Sequence, residues 1–171
     1  MAKAVANAMA ALWEGEFPAT VQVLSAVSDA NRDYTPNPKS RSAWDLATHI
    51  ATADIWFIDS IVKGTFNFDP AAAKQAEQQF DSVADVVAYY EKTLPGRLAV
   101  VRGLSGEQLA ETIDFFGMMQ MSRAQWIGFA NNHSVHHHGQ LSAYLRPLGS
   151  KVPNIYGPSA DAEQPVSVSV D

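Results

Sequence analysis

Residues 122–145 have the sequence SRAQWIGFANNHSVHHHGQLSAYL, and this stretch decides the fold predicted for the chain. Ser122 and Gln125 have the spacing of a capping box, in which a serine begins a helix and a glutamine three residues later bonds back to it. Apolar and aromatic side chains then recur on one helical face at Trp126, Phe129, Ala130, His133, His137, Leu141 and Tyr144. The pattern predicts a helix that begins at Ser122 and ends before Pro147 and Gly149.

Three more helices precede this one in the sequence. We expect them over residues 6–29, from Ser40 or Ser42 to Gly64, and from the capping box at Ser82 to residue 102. The apolar stripe of the first helix is assigned to Leu12, Val23, Leu24 and Val27. Four helices in a chain of this length predict an all-α protein with a helix bundle.

Prolines and turn residues separate these segments. Pro18 and Pro95 fall inside predicted helices, where a kink or a break is expected. Residues 31–39 and the stretch with Phe66, Phe68 and Pro70 are interpreted as loops. Residues 104–120 form a long connection, with a short extended piece predicted over residues 113–119.

The composition of the 171 residues is 47% hydrophobic, which suits one compact domain with a sizeable core. We place that domain at residues 1–158. The polar, acidic tail at residues 159–171 is expected to be mobile or to pack on a partner. Charged residues amount to 18%, below the roughly 25% of ordinary soluble domains, which favours a second copy of the chain covering part of the surface.

Charge and cysteine content exclude several classes of function. The formal net charge is −6 without any lysine- or arginine-rich run, so no nucleic-acid partner is expected. No apolar run reaches the ~20 residues that span a membrane. The chain has no cysteine, which excludes disulfides and thiolate ligands and fits a reducing compartment. The alanine-rich N-terminus is interpreted as the start of a helix and not as a signal peptide, and a cytoplasmic location is predicted.

The five histidines lie in two places. His133 and His137 are four residues apart and therefore share one face of the predicted helix, whereas His136 and His138 point elsewhere. His49, on the second helix, is the only histidine outside this cluster. A divalent metal held by His49, His133 and His137 is one interpretation; buried histidines that are satisfied by ordinary hydrogen bonds are the other.

Several side chains flank this predicted site. Gln140 or Asn132 could hydrogen-bond to a ligating imidazole, and Tyr144 and Trp56 could line a substrate, although Trp56 also suits a plain core position. Asp54 and Asp59 are expected on a solvated face, and no general-base carboxylate is expected beside the histidines. Three imidazoles with open positions on the metal are typical of catalytic zinc sites, and imidazole also suits nickel, copper and iron.

Two histidine-containing segments resemble the signatures of a known family. Residues 43–51, AWDLATHIA, and residues 132–146, NHSVHHHGQLSAYLR, look like the second- and fourth-helix signatures of the DinB-like superfamily, and residues 152–159 resemble its ending. The resemblance implies an up-down four-helix bundle, often a homodimer, with zinc or nickel held by His49, His133 and His137. His138 occupies the place of the arginine that is usual in the family.

The resemblance also implies a range of reactions. Some members of the superfamily are enzymes that use low-molecular-weight thiols such as mycothiol, bacillithiol or glutathione. The chain is therefore expected to be a metal-dependent transferase or hydrolase that takes a small-molecule ligand, with a thiol as cosubstrate. The alternative is a non-catalytic, stress-related metal-binding bundle.

Overall fold

The computed structural model describes residues 1–162, which form six helices and one two-stranded hairpin. The helices are α1 Ala2–Ser25, α2 Ala43–Lys63, α3 Pro70–Glu77, α4 Val83–Gly103, α5 Gly106–Ala110 and α6 Arg123–Leu145. The antiparallel strands are β1 Thr112–Phe115 and β2 Met119–Ser122. A short 3₁₀ turn, Asp29–Asn31, follows α1.

The four long helices α1, α2, α4 and α6 build a bundle around one apolar core, so the predicted fold class is confirmed. The main contacts of α1 are with α4 and α6, and α2 packs against the same two helices. Helices α1 and α2 therefore lie diagonally across the bundle, as do α4 and α6, whereas α2 and α4 are neighbours. This arrangement places α2 and α6, which carry the histidines, side by side.

Capping boxes fix the start of the helices that matter most for the site. The side chains of Ser42, Ser82 and Ser122 each accept a bond from the backbone N–H three residues on, and Asp45, Asp85 and Gln125 bond back to the serine N–H. The starts predicted at Ser82 and Ser122 are confirmed, and Ser42 is the cap of α2. Gly64 ends α2 with a φ of 83°, a left-handed conformation that favours glycine.

The prediction for α1 was wrong in its bounds and in one core position. The helix begins at Ala2 and ends at Ser25, and it runs through Pro18 without interruption. Leu12 is 57% exposed and faces solvent, whereas Trp13 is fully buried in the core. A tryptophan can fill more core volume than a leucine, which explains which of the two neighbours faces inward.

Two connecting segments contain more structure than the sequence predicted. The stretch after Gly64, interpreted as a loop, contains α3, which starts at the N-cap Asp69. The long connection over residues 104–120 contains α5 and the first strand of the hairpin, which confirms the extended piece. Pro95 lies inside a continuous α4.

Within residues 1–162, no helix is both long and apolar enough to cross a membrane. Of the predicted tail, residues 163–171 lie outside the described part of the chain. The described Asp161 accepts hydrogen bonds from the Arg146 side chain and the Val152 N–H.

Candidate metal centre

The three histidines singled out by the sequence meet between α2 and α6. Each of His49, His133 and His137 offers one ring nitrogen, and these nitrogens lie within 4.8 Å of one another. The ring centroids are 4.8 Å apart for His49 and His137, 5.3 Å for His49 and His133, and 4.4 Å within the helical pair. The structure thus brings His49 together with two imidazoles that lie more than eighty residues later in the sequence.

Helix geometry explains which histidines meet. His133 and His137 are one turn apart on the margin of the buried face of α6, where both are half-buried. His136 is exposed, with its ring 5.0 Å from that of His137. His138 is buried on the opposite side, where its Nδ1 lies 3.1 Å from the hydroxyl of Thr20 on α1. Neither belongs to the cluster, as the sequence predicted.

Burial keeps the three imidazoles neutral. Desolvation lowers the pKa of His49 to about 3, and the positive charge of Arg41 lowers it further. Desolvation is also the main cause that lowers the pKa of His133 to about 4 and that of His137 below its ordinary value. A metal binds only the neutral form of an imidazole, so these groups are in the binding form at neutral pH.

The hydrogen bonds of the histidine rings leave ring nitrogens available to bind a metal. The Nδ1 of His137 lies 2.7 Å from Oε1 of Gln140, which as an acceptor fixes the proton on Nδ1 and leaves the Nε2 lone pair free. The Nδ1 of His133 is buried and has no hydrogen-bond partner in the described chain. Buried polar nitrogens are normally paired, so this unpaired atom fits a site completed by an ion.

One wall of the site is apolar and another is charged. The ring of Phe57 lies 5.1 Å from that of His133 and excludes water from one side. On the other side, the carboxylate of Glu77 lies 3.5 Å from Nδ1 of His49 and 3.7 Å from the guanidinium of Arg41. The sequence predicted no general-base carboxylate beside the histidines, and it did not reveal that Glu77 lies next to His49.

A model of the DinB family matches residues 1–165. The chain belongs to the DinB family. YjoA of Bacillus subtilis (strain 168) is 33% identical over 133 residues, which are 76% of this chain and 82% of YjoA.

Solved structures of DinB-like proteins share the fold of this DinB-family chain. A DinB-like protein from Bacillus cereus superposes with a TM-score of 0.70 at 23% identity, covering 86% of this chain and 95% of the other. The crystal structure of YjoA gives a TM-score of 0.67 at 24% identity, covering 87% and 97%. YfiT from Bacillus subtilis, described as a probable metal-dependent hydrolase with an unusual four-helix bundle topology, gives 0.66 at 14% identity, covering 84% and 87%.

The other predicted site residues of this DinB-family protein lie at different distances from the imidazoles. Gln140 contacts His137, as expected of a residue that supports a ligand. Trp56 belongs to a neighbouring aromatic cluster, with Phe57 between it and His133. Tyr144 packs against Tyr34, and Asn132 is exposed. None of these last three hydrogen-bonds to or stacks on the three imidazoles within residues 1–162, so their roles stay predictions.

Sequence reasoning missed Glu77 and Arg41. Glu77 lies on α3, whose only sequence signal is the N-cap Asp69 followed by Pro70 at the first helical position. Arg41 directly precedes the cap of α2, and its charge lowers the pKa of all three histidines. Both could have been found only by considering which side chains of the segments that flank α2 lie close to His49 in the fold.

Proposed function

We propose that this DinB-family protein binds one divalent metal ion through His49, His133 and His137 and uses it as a metal-dependent hydrolase. The observation that carries the proposal is the convergence of three neutral, half-buried imidazoles within 4.8 Å. No carboxylate or thiolate is needed to complete the set, because three protein ligands plus open positions are typical of catalytic sites.

The donor set supports zinc or nickel as the metal. Imidazole nitrogen suits both ions, whereas calcium and magnesium prefer oxygen. When bound at such a site, the ion lowers the pKa of a coordinated water toward about 7 and polarises a substrate oxygen. The surrounding side chains supply orientation and exclusion of water: Gln140 holds His137 in one tautomer, and Phe57 covers His133.

Hydrolysis is favoured as the reaction by the description of YfiT as a probable metal-dependent hydrolase, since YfiT shares the fold. The predicted thiol-dependent transfer is the second candidate. It is supported by the absence of cysteine from the chain, because any thiolate on the metal must then come from a cosubstrate. A coordinating thiol loses its proton outright, so the same three ligands would serve either reaction.

Metal content of purified variants tests the site directly. We expect about one zinc or nickel per chain in the wild type, measured by elemental analysis, and loss of that metal in His49→Ala and His137→Ala. His136→Ala is the matched control, because this exposed histidine is adjacent to His137 but outside the cluster. Full metal content in both ligand variants, or equal loss in the control, would show that the site is wrong.

The reaction is tested on the metal-loaded protein. Ester and phosphoester substrates examine hydrolysis, and a thermal-shift series with glutathione, bacillithiol and mycothiol examines the thiol. Turnover that disappears in His49→Ala supports an enzyme, whereas stabilisation by a thiol without hydrolysis favours transfer. A metal-loaded protein that neither turns over these substrates nor responds to thiols supports the non-catalytic alternative.

A further inference from the structure

We propose that Glu77 is a positioning residue that orients His49 toward the metal by accepting a hydrogen bond from its Nδ1–H. This proposal rests on the proposed metal site. With Nδ1 protonated and facing α3, His49 turns its Nε2 lone pair toward the space shared with His133 and His137. Glu77 would thus do for His49 what Gln140 does for His137.

The distances support this role. Oε1 of Glu77 lies 3.5 Å from Nδ1 of His49, somewhat longer than the 2.7–3.2 Å usual for such a bond. The Glu77 side chain is 30% exposed, which leaves it room to approach His49 more closely. Ligating imidazoles in metalloproteins almost always donate their second N–H to a carboxylate, a carbonyl or water. Glu77 is the carboxylate that lies beside Nδ1 of His49, and the negative charge of Asp45 is near enough to raise the pKa of Glu77.

The position of α3 gives an independent reason to assign Glu77 a function. None of the side chains of this eight-residue helix is buried, so the helix adds little to the core. The Asp69 carboxylate caps its start by accepting hydrogen bonds from the backbone N–H groups of Ala71 and Ala72, and Glu77 is its last residue. The helix thus holds a carboxylate beside His49 while burying none of its own side chains.

The negative charge of Glu77 makes a second contribution to the proposed metal site. Arg41 lies 3.7 Å from Glu77 and close enough to the histidines for its charge to act on all three. A cation beside a metal site opposes binding of a second cation. The Glu77 carboxylate lies in contact with both Arg41 and His49, so it offsets this repulsion as well as orienting the ring.

Metal affinity of the full-length protein, measured by competition with a chromophoric zinc chelator, tests the proposal. We expect zinc affinity to fall roughly 10- to 100-fold in Glu77→Ala. Glu77→Gln should fall between this variant and the wild type, because the amide still accepts a bond but carries no charge. Glu91→Ala is the control, since Glu91 is an exposed glutamate on α4 without an ion pair in the described chain.

Arg41→Gln separates positioning from mere attachment of α3. If Glu77 orients His49, removing the nearby positive charge should leave zinc affinity unchanged or raise it. If Glu77 matters only because its ion pair with Arg41 attaches α3, then Arg41→Gln should weaken binding as much as Glu77→Ala does, and the proposal is wrong. Because no side chain of α3 is fully buried, the metal-free variants should all unfold close to the wild-type temperature.

Nitrogen-15 NMR of the zinc-loaded protein gives a readout that does not depend on affinity. The wild type should show His49 as the tautomer protonated at Nδ1, with slow exchange of that proton, and Glu77→Ala should accelerate the exchange. Unchanged zinc affinity and unchanged Nδ1–H exchange in Glu77→Ala would overturn the role of Glu77 alone. A wild type that binds neither zinc nor nickel would instead overturn the proposed function itself.

Discussion

At the scale of single residues, Asp54 is a carboxyl group enclosed by three helices. It is fully buried on α2, and its Oδ2 accepts hydrogen bonds from the hydroxyls of Tyr90 on α4, at 2.8 Å, and Ser134 on α6, at 2.7 Å. Its Oδ1 has no partner among the described residues. Desolvation raises the pKa of Asp54 from 3.8 to about 7, although both hydrogen bonds act in the opposite direction.

This pKa implies a definite dependence of stability on pH. The folded chain holds the Asp54 proton more tightly than the unfolded chain, so the stabilisation is complete below about pH 4 and is lost as the pH rises through about 7. The amide that replaces the carboxyl group in Asp54→Asn cannot titrate. We therefore expect the unfolding free energy of this variant, relative to wild type, to increase between pH 4 and 7, by at most roughly 4 kcal/mol.

Urea unfolding of the metal-free proteins at a series of pH values measures this difference. The two proteins share every other titrating group, so subtracting their free energies isolates Asp54. Parallel pH profiles for the variant and the wild type would contradict the raised pKa.

Asp54 also shows where reasoning from the sequence fails. It was expected on a solvated face and is instead buried, so that prediction was wrong. One helix read alone cannot reveal the hydroxyls of Tyr90 and Ser134, which come from other helices and make the burial tolerable. The histidine set was easier to predict, because helical spacing selects His133 and His137 and the chain leaves only His49 as a third.

At the scale of elements, the end of α2 is joined closely to the start of α6. The buried guanidinium of Arg123 donates to the Ile61 and Val62 carbonyls, at 3.4 and 3.1 Å, and pairs with Glu111. Cations near the last carbonyls of a helix are favourable. A Cβ on Gly64 would clash with the guanidinium of Arg123, so both the backbone conformation and the space favour glycine there.

Gly64→Ala should therefore destabilise the fold by at least about 1 kcal/mol, because alanine disfavours the positive φ and must displace the guanidinium. Gly15→Ala is the matched control within α1, where an added methyl group meets nothing within 4 Å. That change should stabilise the protein by roughly 0.5–1 kcal/mol. Equal effects of the two substitutions on the urea midpoint would contradict this explanation.

Elements differed in how well the sequence predicted them. The capping boxes at Ser82 and Ser122 and the stop at Gly64 were correct because each depends on local chemistry. The helix α3 was missed because it buries no side chain and so shows no apolar period. Its alanines carry helix propensity, but only the Asp69 cap marks its start.

At the scale of the whole molecule, the proposed metal would join α2 to α6 and should stabilise the native state. At a free concentration 100 times the dissociation constant, a ligand adds about 2.7 kcal/mol. For a chain of this size we expect a rise in Tm of roughly 5–10 °C. Differential scanning calorimetry with and without zinc should show this rise in the wild type and in His136→Ala.

The ligand variants provide the opposite result. His49→Ala and His137→Ala should show no rise in Tm at the same zinc concentration, and a rise equal to that of the wild type would place the ion elsewhere.

The homodimer predicted from the low charge content and the family resemblance stays a prediction. Light scattering of the same metal-loaded samples would determine the oligomeric state.

Ser122 has two structural roles that constrain the length of the chain. It is the last residue of β2, where it pairs with Thr112, and it is also the N-cap of α6. Because an α-helix turns by about 100° per residue, one residue gained or lost between Ser122 and His133 would swing both imidazoles of α6 away from His49. We therefore expect an insertion or deletion in this segment to separate the histidines, whereas the exposed hairpin turn at Gly117 can change length without moving a ligand.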